Sequence, residues 1–344
     1  RHAGSEVRER THARAGGGPG GGACAMPRDR SSLAEVLCCR SRHRFWDTVA
    51  EGCEVYALSA HVPEAEDELG SRGPEDSEEG GASSLLWGIA SWLLPFEALG
   101  GLGQRPKGGV CTQCLLSVMR HRGDLAEELA EGRRRALGFK DLLEGMQFVA
   151  SAAGCPSALL TLRTSIRPSD TAVARALPSI GELQRSPRAL LVGICYEDSA
   201  EWRLRGAWND VSDIHRWLSS ELRWPEGSIR VLHDCAESPG AQPTRENILR
   251  QLEWLLAGDR RDARCGRSCR LLHFSGHGGE GELYPLDWET AGPISDLELT
   301  QLVAIRLQRN TTFTCILDCC KSSTLFRSLG YKMQVPRASR KSGR

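Results

Sequence analysis

Two short stretches hold the side chains best suited to covalent chemistry. The first is Leu271-Leu272-His273-Phe274-Ser275-Gly276-His277-Gly278-Gly279, an apolar run that breaks into glycines around one histidine. The second, about forty residues on, is Thr312-Phe313-Thr314-Cys315-Ile316-Leu317-Asp318-Cys319-Cys320-Lys321-Ser322-Ser323. Each has the texture of a buried strand that ends abruptly and delivers reactive groups at its carboxyl end, where parallel α/β sheets place their crevices. A thiol with an unperturbed pKa near ~8.5 is weakly nucleophilic at neutral pH, and a neighbouring imidazole can take its proton and return it to a leaving amine. Glycines after His277 let backbone N–H groups approach a developing oxyanion. His273, four residues earlier on the same strand, lies about 13 Å from His277 along the axis at ~3.3 Å per residue. It is therefore expected as a core or satisfied polar residue rather than half of a metal pair.

Ser275-Gly276-His277-Gly278 followed by Asp318-Cys319-Cys320 resembles the caspase-like cysteine peptidases, and the surrounding text resembles the metacaspases of peptidase family C14. The supporting stretches are Arg205-Gly206-Ala207-Trp208-Asn209-Asp210-Val211, Gln242-Pro243-Thr244-Arg245-Glu246-Asn247-Ile248-Leu249 and Tyr284-Pro285-Leu286-Asp287-Trp288, in the family's order. The resemblance implies a caspase-hemoglobinase fold, a mainly parallel α/β sheet flanked by helices. It also implies a cysteine endopeptidase in which His277 and Cys320 form the catalytic dyad and the backbone N–H groups of Gly278 and Cys320 hold the oxyanion. The motif Asp-x-Cys selects Cys320 over Cys319, and Cys315 is expected buried and inert within its strand. Asp210, Ser275 and Asp318 occupy the positions that, in the family, line a pocket for a basic residue. The implied partners are proteins or peptides with Arg or Lys before the scissile bond, since a guanidinium or ammonium neutralises carboxylates in a cleft.

Several residues depart from the family pattern. Lys321-Ser322-Ser323 stands where the family has His-Ser-Gly; a lysine beside the thiol favours thiolate, but losing the glycine restricts the turn. Gly279-Glu280-Gly281-Glu282 runs straight into Leu283-Tyr284-Pro285, without the family's long acidic loop. Calcium needs six to eight oxygens, which Asp296, Glu298, Glu280 and Glu282 do not obviously supply, so no cofactor and no metal site is expected, and calcium stays open only as what the resemblance implies. Only about two dozen residues follow Cys320, so the sheet is expected to be incomplete at its C-terminus. These departures leave a second expectation, a catalytically impaired caspase-like scaffold or adaptor.

The chain around these stretches has 344 residues, 40% of them hydrophobic, enough for a real core. Lysine plus arginine balances aspartate plus glutamate at 44 each, which disfavours nucleic acid or an anionic membrane as a default partner. The oligomeric state is left open. The 14 cysteines have irregular spacings and no apolar signal core precedes them, so they read as free thiols of a cytoplasmic protein. Cys111-Thr112-Gln113-Cys114 lacks a second ligand pair and reads as coincidence rather than zinc.

The domain plan runs as follows. Residues 1–30 are basic, Gly-rich and expected disordered. Residues 31–187 form an unassigned N-terminal half: helix-compatible text over Ser31 to Ala60, an acidic linker over 63–81, and an apolar helix over Leu85 to Phe96 too short to span a membrane. One or two amphipathic helices follow over Asp124 to Ala150, and a linker over Pro156 to Pro187. The caspase-like domain covers 188–326, with strands at Ala189 to Ile194, Ile229 to Leu232, Leu271 to Ser275 and Thr311 to Leu317. Its helices are Ala207 to Leu222, one capped by Thr244, and one begun by the capping box Ser295-Asp296-Leu297-Glu298. A basic tail, 327–344, closes the chain.

Overall fold

The computed structural model describes residues 53–61, 108–130, 138–153, 155, 158–165, 185–258, 267–329 and 331–334. The expectations for 1–30, the acidic linker 63–81 and the apolar stretch Leu85 to Phe96 lie outside these residues.

The centre is one sheet of seven strands in the order β10-β2-β1-β9-β5-β3-β4. Its strands are β1 (Glu54–His61), β2 (Leu159–Thr164), β3 (Pro187–Gly193), β4 (Ile229–His233), β5 (Ser268–Ser275), β9 (Thr311–Asp318) and β10 (Tyr331–Gln334). Three two-residue strands, β6 (Gly278–Gly279), β7 (Glu282–Leu283) and β8 (Ile294–Ser295), form a small separate ribbon. From β4 to β1 the pairing is parallel throughout, and β2 and β10 run antiparallel at the far side. This is the mixed, mostly parallel α/β sheet of a caspase-like fold.

Helices cover both faces. Leu191, Leu271, Ile316, Tyr56 and Leu58 share a core with α1 (Val110–Ala130), α2 (Phe139–Ala152) and α3 (Ala207–Arg216). The alternate residues Leu190, Val192, Leu272, Phe274, Cys315 and Leu317 share the other core with α4 (Arg245–Leu256) and α6 (Asp296–Arg306). A strand buried on both faces shows no polar alternation, which is why these runs are continuously apolar. The capping of α4 by Thr244 and the reciprocal box of Ser295 and Glu298 at α6 are both present. Between α4 and α6 lies a four-residue helical turn, α5 (Trp288–Ala291).

The sheet does not stop at the strand that carries Asp318. Beyond β9 it continues through β1 and β2, contributed by the N-terminal half, and then β10, contributed by the segment expected as a basic tail. Three local readings are corrected. The end of the helix-compatible text of Ser31 to Ala60 is instead the strand Glu54–His61, with Tyr56, Leu58 and Ala60 in one core and Val55 and Ala57 in the other. Residues 159–164 fall in the expected linker, yet they pair with β1 from Tyr56↔Thr164 to His61↔Leu159. The helix expected from Asp124 begins earlier, at Val110, and a second runs over 139–152.

Candidate active site

The parallel register of β5 and β9 sets the site. Ser275 lies opposite Asp318, and the Gly276 N–H donates to the Asp318 carbonyl at 3.2 Å, so His277 and Cys320 each follow two residues past the same rung. The close approach is tight: a Cβ on Gly278 would stand 2.9 Å from Cys319 Sγ and 3.0 Å from the Cys320 carbonyl oxygen. Only glycine fits between the histidine loop and the cysteine turn.

The two vicinal cysteines differ in exposure. Cys320 is exposed, whereas Cys319 is 8% exposed and burial, with Asp318 adding to it, pushes its thiol far up. Cys315 is fully buried in the strand. The turn after Cys320 carries Lys321 at φ 54°, a left-handed conformation that glycine adopts more cheaply. Ser322 behind it is buried and donates from Oγ to the Ala60 carbonyl at 3.0 Å, tying the turn to β1.

His277 is held by aromatic residues. Its Nε2 is 2.7 Å from the Trp202 carbonyl oxygen, and because a carbonyl only accepts, Nε2 carries the proton and Nδ1 is the basic nitrogen. Burial lowers its pKa, partly offset by that bond, so the ring is neutral at pH 7. Tyr196 lies 4.9 Å from it, centroid to centroid, and Trp202 crosses it edge-on at 5.2 Å. The Tyr196 hydroxyl accepts the His277 backbone N–H at 3.2 Å and donates to the Tyr284 carbonyl, pinning the loop from beneath.

Asp210, Ser275 and Asp318 come together. Ser275 Oγ donates to Asp210 Oδ2 at 2.7 Å, and Asp210, in the first turn of α3, is fully buried. Burial and the nearby Asp318 raise its carboxyl to about 7. Desolvation also raises Asp318, which keeps partial exposure and so forms the front of the pair.

The sequence reading missed the residues that face this pair. The first turn of α1 points its N–H groups at both carboxylates: Gly109 N–H to Asp210 at 2.9 Å, Thr112 N–H to Asp318 Oδ2 at 2.7 Å and Cys111 N–H to Asp318 Oδ1 at 3.4 Å. Gln113 Nε2 adds donors to Asp210 and Asp213, each at 3.3 Å. A helix N-terminus is a natural partner for carboxylates. Gly108 and Gly109 permit it, since a Cβ on Gly109 would overlap the Asp318 carboxyl and one on Gly108 would overlap Asp210. The sequence signal is a Gly-Gly pair just before a helix. Gly109→Ala is expected to destabilise the fold by about 1–3 kcal/mol, as overpacking does; chemical denaturation checks this, and an unchanged midpoint would place the turn elsewhere.

The carboxylates weighed for calcium do not converge. Glu298 pairs with Arg245 and Glu280 with Arg327, while Asp296 accepts from the Phe326 backbone N–H. Among the described residues no three His, Cys, Asp or Glu side chains gather in a metal-holding arrangement. Nor is any helix among them long and apolar enough to cross a membrane.

Residues 187–328 match the family model described as metacaspase, peptidase C14 domain. Among curated proteins, the chain is 36% identical over 150 residues to Metacaspase-1B of Aspergillus terreus, covering 40% of this chain and 38% of that protein. It is 35% identical over 150 residues to Metacaspase-1 of Eremothecium gossypii, covering 40% and 32%. With Metacaspase-1 of Saccharomyces cerevisiae it shares 34% identity over 151 residues, covering 40% and 34%. The chain thus matches less than two-fifths of the length of these relatives.

Proposed function

We propose, from the premise that residues 187–328 are a metacaspase-type peptidase C14 domain, that this chain is a cysteine endopeptidase cleaving after Arg or Lys. The observation that carries the reading is the β5–β9 register, which sends His277 and Cys320 from the same end of adjacent strands beside a pair of carboxylates. The exposure of Cys320 and the neutral, Nε2-protonated His277 support their roles.

In this mechanism Nδ1 of His277 takes the Cys320 thiol proton and the sulfur attacks the peptide carbonyl carbon. The oxyanion is held by the backbone N–H groups of Gly278 and Cys320. Collapse breaks the C–N bond as the imidazolium returns its proton to the leaving amine. Water, deprotonated by the same imidazole, then hydrolyses the thioester and frees the thiol. The substrate's basic side chain neutralises Asp318 directly, with Asp210 and Ser275 behind it.

Cleavage of Arg and Lys fluorogenic peptides, against Asp and Leu controls, tests the reading with calcium added and chelated. Turnover confined to the basic peptides is expected; its absence from all of them overturns the peptidase reading and leaves the scaffold.

The acidic pair sets a pH dependence. Its raised carboxyl titration favours the protonated form in the folded chain, so kcat/KM on Arg peptides is expected to fall about tenfold per pH unit below about 7. His277 does not set this limb, because its pKa is lowered from the ordinary value. Stability has the opposite slope: a carboxyl raised from 3.8 to about 7 contributes stability that is complete below the unfolded value and lost as pH rises through the folded one. Melting temperature is therefore expected to drop between about pH 4 and pH 7 as activity rises. Parallel slopes would remove the acidic pair from the pocket.

A further inference from the structure

The N-terminal turn of α1 holds Asp318 through more than its backbone. Thr112 is fully buried; its Oγ1 lies 2.9 Å from His273 Nε2, its backbone N–H donates to Asp318 Oδ2 at 2.7 Å, and its side chain counters the upward push of burial on the Asp318 carboxyl. His273 sits inside β5, opposite Ile316 of β9, with no solvent access. Burial pushes its pKa down to about 3, so it is neutral and carries one N–H. Its Nδ1 has no partner among the described residues.

These facts fix the direction of the chain of hydrogen bonds. A threonine hydroxyl has one proton to give. If that proton went to His273 Nε2, the histidine N–H would sit at Nδ1, a buried donor with nothing to receive it. Orphaned buried N–H groups are rarer and costlier than under-satisfied acceptors. In the other arrangement His273 Nε2–H donates to Thr112 Oγ1, which leaves the Thr112 hydroxyl proton to be directed toward the Asp318 carboxylate that the N–H of the same residue already holds. A neutral histidine thus fixes the side chain of the residue whose backbone N–H holds the carboxylate, and orients its hydroxyl.

We propose that Thr112, oriented by His273, is a positioning residue for the Asp318 carboxylate, so that the pocket for a basic substrate side chain is built jointly by the end of β9 and the first turn of α1. This rests on the reading of Asp318 as the group that meets the substrate cation. Thr112 does not touch substrate; it fixes the aim of Asp318 and favours its ionised form. The other groups facing Asp318 cannot substitute: Asp210 repels its charge, and Cys111, Cys114 and Cys319 are neutral thiols whose ionisation burial opposes.

The test compares Thr112→Val, which keeps shape and deletes the hydroxyl, with Thr112→Ser, which restores it. Two readouts are taken on the whole chain: kinetics on an Arg peptide across pH, and titration of carbon-13-labelled aspartate carboxyls by NMR. For Thr112→Val, KM is expected to rise about tenfold or more with kcat within threefold, and the acid limb and the carboxyl titration both move to higher pH. Thr112→Ser should stay within about threefold of wild type on every measure. Where the valine variant folds poorly, Thr112→Ala deletes the same hydroxyl and is read identically. A folded hydroxyl-less variant with wild-type KM and carboxyl titration overturns the proposal. If wild type cleaves no Arg peptide, the peptidase reading has failed, and the carboxyl titration alone still decides whether Thr112 holds Asp318.

Discussion

Replacing Cys320 by alanine is expected to lower kcat/KM on an Arg peptide by at least about a thousandfold, whereas Cys319→Ala should remain within about threefold. The first figure reflects loss of the nucleophile, after which only binding and oxyanion contacts remain. The second follows from where the two sulfurs lie. Cys319 belongs to the core under α4 and α6, faces the Gly278 backbone, and sits beside Asp318, which opposes a second negative charge. A buried thiol of this kind behaves as a small apolar side chain, so its truncation costs about 1 kcal/mol of stability and little chemistry. Cys320, one residue on, is exposed. An Arg-directed acylating reagent followed by peptide mass mapping reads the same point: the label should sit on Cys320 and vanish in Cys320→Ala. A label on Cys319, or equal losses in the two variants, would move the nucleophile by one residue and break the alignment with Asp318.

The half of the site carried by β5 and β9 was legible because strand and reactive group are contiguous in sequence. Leu271 to Ser275 announces a buried strand and His277 follows at once; the same holds for Thr311 to Asp318 and Cys320. The strands β1 and β2 were not legible. Residues 54–60 are buried on both faces, and a short two-sided apolar run has no period that separates strand from helix. Their pairing is also distant: Val55 lies opposite Phe313, and Ser322 bonds to Ala60 across 262 positions. No local propensity encodes such a partner; it follows only from the demand that the β9 edge and its unpaired N–H and C=O groups be covered. For the same reason the strands that extend the sheet beyond β9 come largely from the N-terminal half.

The face of α1 illustrates a second kind of illegibility. Cys111-x-x-Cys114 drew notice for its metal-like spacing, yet both sulfurs are buried in the core, and the contacts to Asp318 come from the backbone N–H groups of Cys111 and Thr112. Backbone donors carry no residue-type signature. What marked the turn was Gly108-Gly109, two residues without side chains at the point where a helix end meets two carboxylates.

Asp318→Asn is expected to cut kcat/KM on Arg peptides by about 100-fold or more, and Asp210→Asn by a smaller factor of about ten. Both carboxylates belong to the proposed pocket, but not equivalently. Asp210 is wholly buried and its oxygens already accept from Gly109, Ser275 and Gln113, so its effect on a substrate passes through Ser275 and through the charge it shares with Asp318. Asp318 retains exposure, and one of its oxygens has only a long 3.4 Å contact from the Cys111 N–H, which leaves it open to a substrate guanidinium. Losing one member of a desolvated charge pair costs about 3–5 kcal/mol, and each 1.4 kcal/mol is about tenfold. Stability should respond differently from activity. An amide at 318 keeps an oxygen for the Thr112 N–H and removes one of two mutually repelling charges, so the midpoint of unfolding at pH 8 should shift by no more than about 1 kcal/mol. The acid limb of the pH profile should also move, since a lone Asp210 no longer shares its titration with a neighbour and its carboxyl, raised in part by Asp318, should titrate lower. Kinetics on Arg peptides between pH 5 and pH 9 for the two single variants and the double variant, together with chemical denaturation at pH 8, measure all three effects. A larger loss at Asp210 than at Asp318 would reverse the order of the pair, and a wild-type rate in Asp318→Asn would mean that the substrate cation is met elsewhere.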